Sequence, residues 1–207
     1  MKKFTAFFIF FLFFSLITFA QVKIGPKAGL NIANLSGDDI SDADSRTGFS
    51  GGLFLTYQVS DMFAIQPEAY YSMKGATYSE TYSGYTYKLT YSLDYIEIPV
   101  LLKLMIPLQG STINPAIFAG PAVGFNTTHK VKVEVDNQSV EQDIEDIKST
   151  DFSLVFGGGI GFPVGQNEIG FDVRYILGLG TVDDSGADAD VKNSVINFNV
   201  FFGFSLN

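Results

Sequence analysis

From Ile196 to the end of the chain every second residue is large and apolar: Ile196, Phe198, Val200, Phe202, Phe204 and Leu206 are interleaved with Asn197, Asn199, Gly203 and Ser205. A period of two belongs to a strand with one oily face and one polar or small face. The pattern recurs upstream. Ile169, Phe171, Val173, Tyr175, Leu177 and Leu179 oppose Glu168, Gly170, Asp172, Arg174 and Gly178. Phe152, Leu154, Phe156, Ile160 and Phe162 oppose Ser153, Gly157, Gly159 and Gly161, and Ile96, Ile98, Val100, Leu102 and Leu104 oppose Tyr95, Glu97, Pro99, Leu101 and Lys103. Segments 23–35, 48–59, 63–76 and 113–127 follow the rule less regularly and bring the strand count to eight.

The connections alternate as well. Those at 60–62, 107–112 and 163–167 are short, whereas 36–47, 77–91, 128–150 and 181–191 are long and polar. Outer-membrane barrels have this asymmetry, with tight periplasmic turns and longer outer loops. The direction of the oily face follows from size. Glycines and charges fit the narrow interior of an eight-stranded ring, and the Phe, Ile, Leu and Val band suits hydrocarbon. Strands in lipid must also close on themselves, because an open edge would leave backbone groups unpaired. The chain is therefore read as an all-β, eight-stranded, antiparallel, closed transmembrane barrel spanning residues 21–207, with Phe171, Val173, Phe198, Val200, Phe202 and Phe204 facing lipid. Pro26, Pro67, Pro99, Pro115 and Pro121 fall within proposed strands. Each removes a ladder hydrogen bond, so bulges or local loss of pairing are expected there.

Residues 1–20 stand apart. Lys2 and Lys3 precede a Phe-rich apolar run that ends in Thr18-Phe19-Ala20, the pattern of a secretory signal peptide cut after Ala20. Without Lys2 and Lys3 the chain has 11 basic and 22 acidic residues, a net charge of −11. That balance excludes nucleic acid as a partner. Cysteine is absent, which excludes disulfides and thiolate metal sites. No apolar run after Ala20 is long enough for a membrane helix.

Five stretches carry a family resemblance: GPKAGLNIANLSG (25–37), QPEAYYSMKGA (66–76), YIEIPVLLKL (95–104), AGPAVGF (119–125) and FGGGIGF (156–162). Together they resemble the PorT-like outer-membrane β-barrel proteins. The resemblance implies a barrel in the outer membrane of a Gram-negative cell and raises a role in an outer-membrane protein secretion apparatus. Asn207 departs from the terminal aromatic residue common in such barrels.

Inward charges form the main candidate site. If strands three and four pair so that opposing residue numbers sum to 171, Glu68 faces Lys103 and Lys74 faces Glu97. With Lys27, Asp172 and Arg174 they would make a charge-compensated plug, since unpaired buried charges are costly; the rival is an ion or proton path. His129, the lone histidine, has no nucleophile elbow or metal-ligand spacing around it, so no catalytic residue, cofactor or metal site is assigned. A lipid-modifying barrel enzyme would have to use it.

The outer loops gather Asp38, Asp39, Asp42 and Asp44, and Asp183, Asp184, Asp188 and Asp190. Such carboxylates could hold divalent cations bridging lipopolysaccharide phosphates, or form a solvated surface. Tyr78, Tyr82, Tyr85, Tyr87, Tyr91 and Tyr95 crowd one hairpin. They suit an interfacial collar near the strand ends or a contact surface at the tip. The expected protein is a monomer that meets outer-membrane lipid and lipopolysaccharide and is open to a protein partner at its loops or turns.

Overall fold

In the computed structural model, residues 21–37, 43–82, 85–108, 110–135, 138–186 and 189–206 are described. The signal segment expected at 1–20 lies outside them, as do Asp38, Asp39, Asp42 and Asp188. Among the described residues the alternating pattern becomes nine antiparallel strands: β1 (Val22–Ser36), β2 (Asp44–Gln58), β3 (Phe63–Tyr82), β4 (Tyr85–Met105), β5 (Asn114–Val135), β6 (Gln138–Asp143), β7 (Thr150–Val164), β8 (Asn167–Gly178) and β9 (Lys192–Ser205). Eight of them close a ring in the order β1-β2-β3-β4-β5-β7-β8-β9, sealed by β1–β9 pairs from Lys23↔Ser205 to Ser36↔Lys192. The ninth, β6, lies outside the ring and takes over the β5 edge where β7 leaves it, from Lys130↔Asp143 to Val135↔Gln138.

Burial gives the faces their direction. Leu30, Leu53 and Val200 on the outer wall are 57%, 58% and 63% exposed, while Glu97 and Arg174 inside are 0% and 1% exposed. Phe171, Val173, Phe198, Val200 and Phe204 all lie on the outer wall. Phe202 is half-buried there against the Phe204 ring, centroid to centroid 4.7 Å. The outer wall turns polar at a common level: Ile196 gives way to Ser194, Phe152 to Thr150, and Ile96 and Phe125 to Asp94 and Thr128. Ten residue steps from Ile196 to Leu206 cover roughly 33 Å of strand. At the usual barrel tilt this gives a band about 25 Å tall, the height of an outer-membrane hydrocarbon layer.

Two of the expected loops are mostly strand. Segment 77–91 continues the β3–β4 ladder to Tyr82↔Tyr85, and 128–150 contains the end of β5 and all of β6. Their Thr/Tyr and Lys/Val alternation keeps the strand period, and no turn residues interrupt it before Ser83 and Gly84. The result is a wall of β3, β4, β5 and β6 that projects beyond the ring.

The prolines cause loss of pairing without changing register. Pro26, Pro67, Pro99 and Pro121 keep partners Leu53, Val100, Ala122 and Leu154 on one neighbour, while the ladder on the other side skips a step and resumes in phase. Register shifts fall elsewhere, between Ser45 and Ser50 in β2 and at Asp94/Tyr95 in β4. Near the first shift Gly75 has φ +124°, and an added Cβ there would collide with the Tyr91 carbonyl. Gly75→Ala should therefore lower stability by about 1–3 kcal/mol, measured as the urea unfolding midpoint of the barrel in lipid vesicles; an unchanged midpoint contradicts this role for Gly75.

Candidate functional site

Inward positions of every ring strand converge on a narrow axis, so side chains far apart in sequence meet there. Among the described residues the interior holds five cations (Lys23, Lys27, Lys74, Lys103, Arg174) and five carboxylates (Glu68, Glu97, Asp151, Glu168, Asp172). The central group is a quartet from three strands. Arg174 donates from Nη1 to Glu68 Oε2 at 2.7 Å and from Nε to Asp172 Oδ1 at 3.0 Å. Lys27 Nζ completes it at 2.8 Å from Glu68 and 3.0 Å from Asp172. The guanidinium also lies over the Phe118 ring, 5.0 Å from its centroid. Each charge in this group meets two opposite ones, which offsets the cost of removing it from water.

Glycine makes the space. Gly157 and Gly159 on β7 stand opposite Arg174 and Asp172 on β8, and a Cβ at either would press into those residues at 2.8 Å. An amide ladder continues the network around the ring. Asn199 Nδ2 donates to Asp172 at 2.8 Å, Asn197 Nδ2 to Asn31 at 2.7 Å and to Ser50 at 2.9 Å, and Asn31 Nδ2 to Ser72 at 3.0 Å.

Nearer the outer end a second group joins Lys74 to Glu97 at 2.6 Å and to Asp151 at 3.6 Å, with Asn193 donating to Asp151 at 2.9 Å. The apolar cluster of Ala33, Leu101, Phe118, Ala122, Val155, Ile176 and Val195 lies on the ring strands at levels between the two groups, Val195 separating Asn193 from Asn197 and Ile176 following Arg174 toward the outer end. The interior therefore mixes charge with apolar packing, and the apolar part extends well beyond the Tyr95 and Leu101 that the sequence pattern places inward.

The register expected for β3 and β4 is corrected by four residues. Opposing numbers sum to 167, with Ala64 opposite Lys103 and Tyr70 opposite Glu97. Glu68 consequently pairs with Lys27 and Arg174 rather than with Lys103. Lys74 reaches Glu97 diagonally, not from the directly opposite position. Ion pairs straight across the hairpin would need a sum of 171, but long side chains in a tilted ring meet along the axis.

Parity also places residues that composition alone obscured. Phe54, Phe118 and Phe201 are inward despite being large and apolar, and Phe201 shares its face with Asn197 and Asn199. Phe54 and Phe201 meet edge to face at 5.6 Å, and Lys27 lies 5.5 Å from the Phe54 ring. Tyr95, included in the tyrosine collar by proximity in sequence, is fully buried inside below Lys74. Asp151 was missed because it begins its strand next to a long connection; its inward parity with Ser153 is the signal that finds it.

Free space shrinks along the axis. A cavity of about 250 Å³ opens at the end carrying the short turns. It narrows to about 10 Å³ beside Lys27 and Asp172 and to about 0 Å³ beside Arg174 and Asn197. At the opposite end Leu35, Ala76, Leu93, Tyr95 and Val182 form an apolar cap with Tyr78, Tyr91, Ile147 and Val191 packed on it. The β8–β9 connection lies across this end, tied to the β6–β7 connection through an Ile147↔Asp183 bridge and Lys148 N–H to Val182 O at 2.9 Å.

The projecting wall reverses the polarity of the ring. Its outer face carries Lys88, Thr90, Thr77, Ser79, Lys132 and Glu134, above Arg46 and Tyr71, which both donate to Asp94, at 2.9 and 2.8 Å. Its inner face carries the cross-strand partners Tyr82 and Tyr85, Tyr87 and Val135, and Val133 and Val140. Tyr82, Tyr85, Tyr87, Val133 and Val140 are exposed, Tyr82 by 75%. His129 sits on the outer part of β5 with Nδ1 2.9 Å from Asn126 Oδ1. Among the described residues no three histidine or carboxylate groups converge as metal ligands would. Asp183 is bonded to Ser185 at 2.7 Å and Asp190 to Lys192 at 2.7 Å.

Comparison with known proteins adds a family. The family described as "Outer membrane protein beta-barrel domain" matches residues 19–184. Neisserial surface protein A is 15% identical over 90% of this chain and 99% of that one, with a TM-score of 0.47. Ail, the attachment invasion locus protein of Yersinia pestis, solved with the heparin analogue sucrose octasulfate, is 14% identical over 89% of this chain and 99% of that one, with a TM-score of 0.43. OprG of Pseudomonas aeruginosa is 12% identical over 90% and 93%, with a TM-score of 0.41. No curated protein matches the chain.

The quartet makes a stability prediction. Arg174→Met leaves Glu68 and Asp172 sharing Lys27 alone, and should cost about 3–5 kcal/mol in urea unfolding followed by heat-modifiable gel mobility. A loss below about 1 kcal/mol would mean that the buried carboxylates find other partners.

Proposed function

The chain belongs to the outer membrane protein beta-barrel domain family, an all-β barrel of the outer membrane, and from that premise we propose that it works as a stand-alone binding protein whose recognition surface is the inner face of the projecting wall. The observation that carries this reading is the exposed set Tyr82, Tyr85, Tyr87, Val133 and Val140 on a sheet lifted clear of the apolar band. A soluble sheet face is ordinarily covered or polar. Tyrosine supplies large contact area with a polar tip and little side-chain entropy to lose. The partner class is a protein, or a glycan presenting flat sugar faces.

The ring itself acts as an anchor. Outward Phe171, Val173, Phe198, Val200, Phe202 and Phe204 contact acyl chains, and the interior charges serve as a plug that fixes register and blocks flow. Support for the plug is the loss of free volume beside Arg174 together with the balance of five cations and five carboxylates. Catalysis is not part of this reading, since His129, the one histidine, is exposed and its hydrogen bond is to an amide rather than a carboxylate. Within the family the stretches at 95–104 and 156–162 favour kinship with PorT-like members; a secretion role would use the same wall or the short turns to hold another component.

The test uses the full chain purified from detergent-solubilised outer membranes after cross-linking. A defined species should co-purify with the native chain and disappear with the triple variant Tyr82→Ser, Tyr85→Ser, Tyr87→Ser, while heat-modifiable mobility stays native because these side chains lie outside the ring. Recovery of the same species by the triple variant removes the wall as the binding surface.

A further inference from the structure

Every interior cation but one has a carboxylate at hand. Lys23 lies 2.5 Å from Glu168, Lys27 and Arg174 share Glu68 and Asp172, and Lys74 has Glu97 and Asp151. Lys103 has no carboxylate oxygen within 4.0 Å among the described residues. Its Nζ reaches Gln66 Oε1 at a long 3.4 Å, and that oxygen already accepts from Thr56 at 2.8 Å. The Phe201 ring lies 5.7 Å away. The ten interior charges balance as a whole, but the outer group has a carboxylate in excess and this end, exposed Asp61 aside, an ammonium in excess.

Lys103 also lines both the 250 Å³ cavity at the short-turn end and the 10 Å³ gap above it. It therefore sits at the floor of a vestibule that opens toward the periplasm, the side on which an outer-membrane barrel carries its short turns. The space equals about eight waters, more than a lone ion requires. Phe54, Phe201, Met105, Ile106 and Pro107 form apolar walls around it. Glu168 and Asp61 line it too, and Glu168 is neutralised by Lys23, so a dianion would meet repulsion with a single spare cation to hold it.

We propose that this vestibule binds a monocarboxylate carrying an apolar group, with Lys103 as its counter-charge and the Phe54 and Phe201 rings as its apolar wall. The carboxylate can come from a small free acid or from the C-terminus of a periplasmic polypeptide ending in an apolar residue. The chemistry is the same: one anionic head desolvated against one ammonium, and an adjoining group removed from water.

The test is ligand-observed NMR on the full mature chain folded in a non-ionic detergent, with N-acetyl-phenylalanine as the probe. It should bind, and its carboxamide analogue should bind at least about tenfold more weakly. Lys103→Met should weaken the acid by a similar factor while leaving the unfolding midpoint unchanged or raised, because no carboxylate loses a partner; Lys103→Gln replaces it if the methionine variant does not fold. A tetrapeptide ending in phenylalanine distinguishes the sources: tighter binding than the single amino acid assigns the site to a chain end, equal binding to a free acid. Equal affinity for acid and amide, equal affinity in the Lys103 variant, displacement of the probe by inorganic phosphate at the same concentration, or no binding at about 10 mM would each overturn the proposal.

Discussion

Hydrocarbon offers no hydrogen-bond partner, so a sheet placed in it must satisfy every backbone group from within and leave no edge. Closure of β1 on β9 meets that requirement, and the rest of the architecture follows from it. A ring of eight strands has an interior only wide enough for side chains. Whatever points inward must then fill that space and satisfy itself. The quartet of Lys27, Glu68, Asp172 and Arg174 is one solution, assembled from β1, β3 and β8, with Gly157 and Gly159 letting β7 lie close against the backbone of β8 at Arg174 and Asp172. Because each member touches two opposite charges, the group also penalises any slip between these strands.

Where the chain leaves the hydrocarbon the same period of two continues, but the chemistry of the faces exchanges. Below the level of Asp94 the outer wall is Ile96, Ile98 and Val100; above it comes Ser92, Thr90 and Lys88. The inner face passes from Glu97 through Leu93 and Tyr91 to Tyr87 and Tyr85. The strand keeps its geometry while its surroundings change from lipid outside and protein inside to water on both sides. An apolar inner face that serves as a cap at Leu93 and Tyr91 is left uncovered at Tyr85 and Tyr87. Anchoring, closure and the proposed recognition surface are thus successive levels of the same few strands.

The architecture was legible in the sequence because alternation over ten residues is a strong signal, and the long-short rhythm of connections is independent of it. Segments 152–162, 169–179 and 196–206 left little freedom in face or type. Register was not legible. A sum of 171 for β3 and β4 requires charges to meet straight across a hairpin, whereas the tilt of a closed ring lets Lys74 reach Glu97 diagonally at a sum of 167 and gives Glu68 to strands distant in sequence. Phe201 and Phe118 show a related limit: composition argues for lipid, parity argues for the interior, and parity wins because a strand cannot turn one residue alone. The extensions at 77–91 and 128–135 were hidden by their polarity, which reads as loop until its period is counted.

The central claim is that greasy residues face acyl chains and charged ones face the axis. The chain has no cysteine, so single substitutions from Val195→Cys to Phe204→Cys can each carry a nitroxide label in lipid vesicles. Collision with oxygen, which concentrates in hydrocarbon, should alternate along this strand, high at 196, 198, 200, 202 and 204 and low at 195, 197, 199, 201 and 203. A flat profile, or one with the opposite phase, would contradict the arrangement.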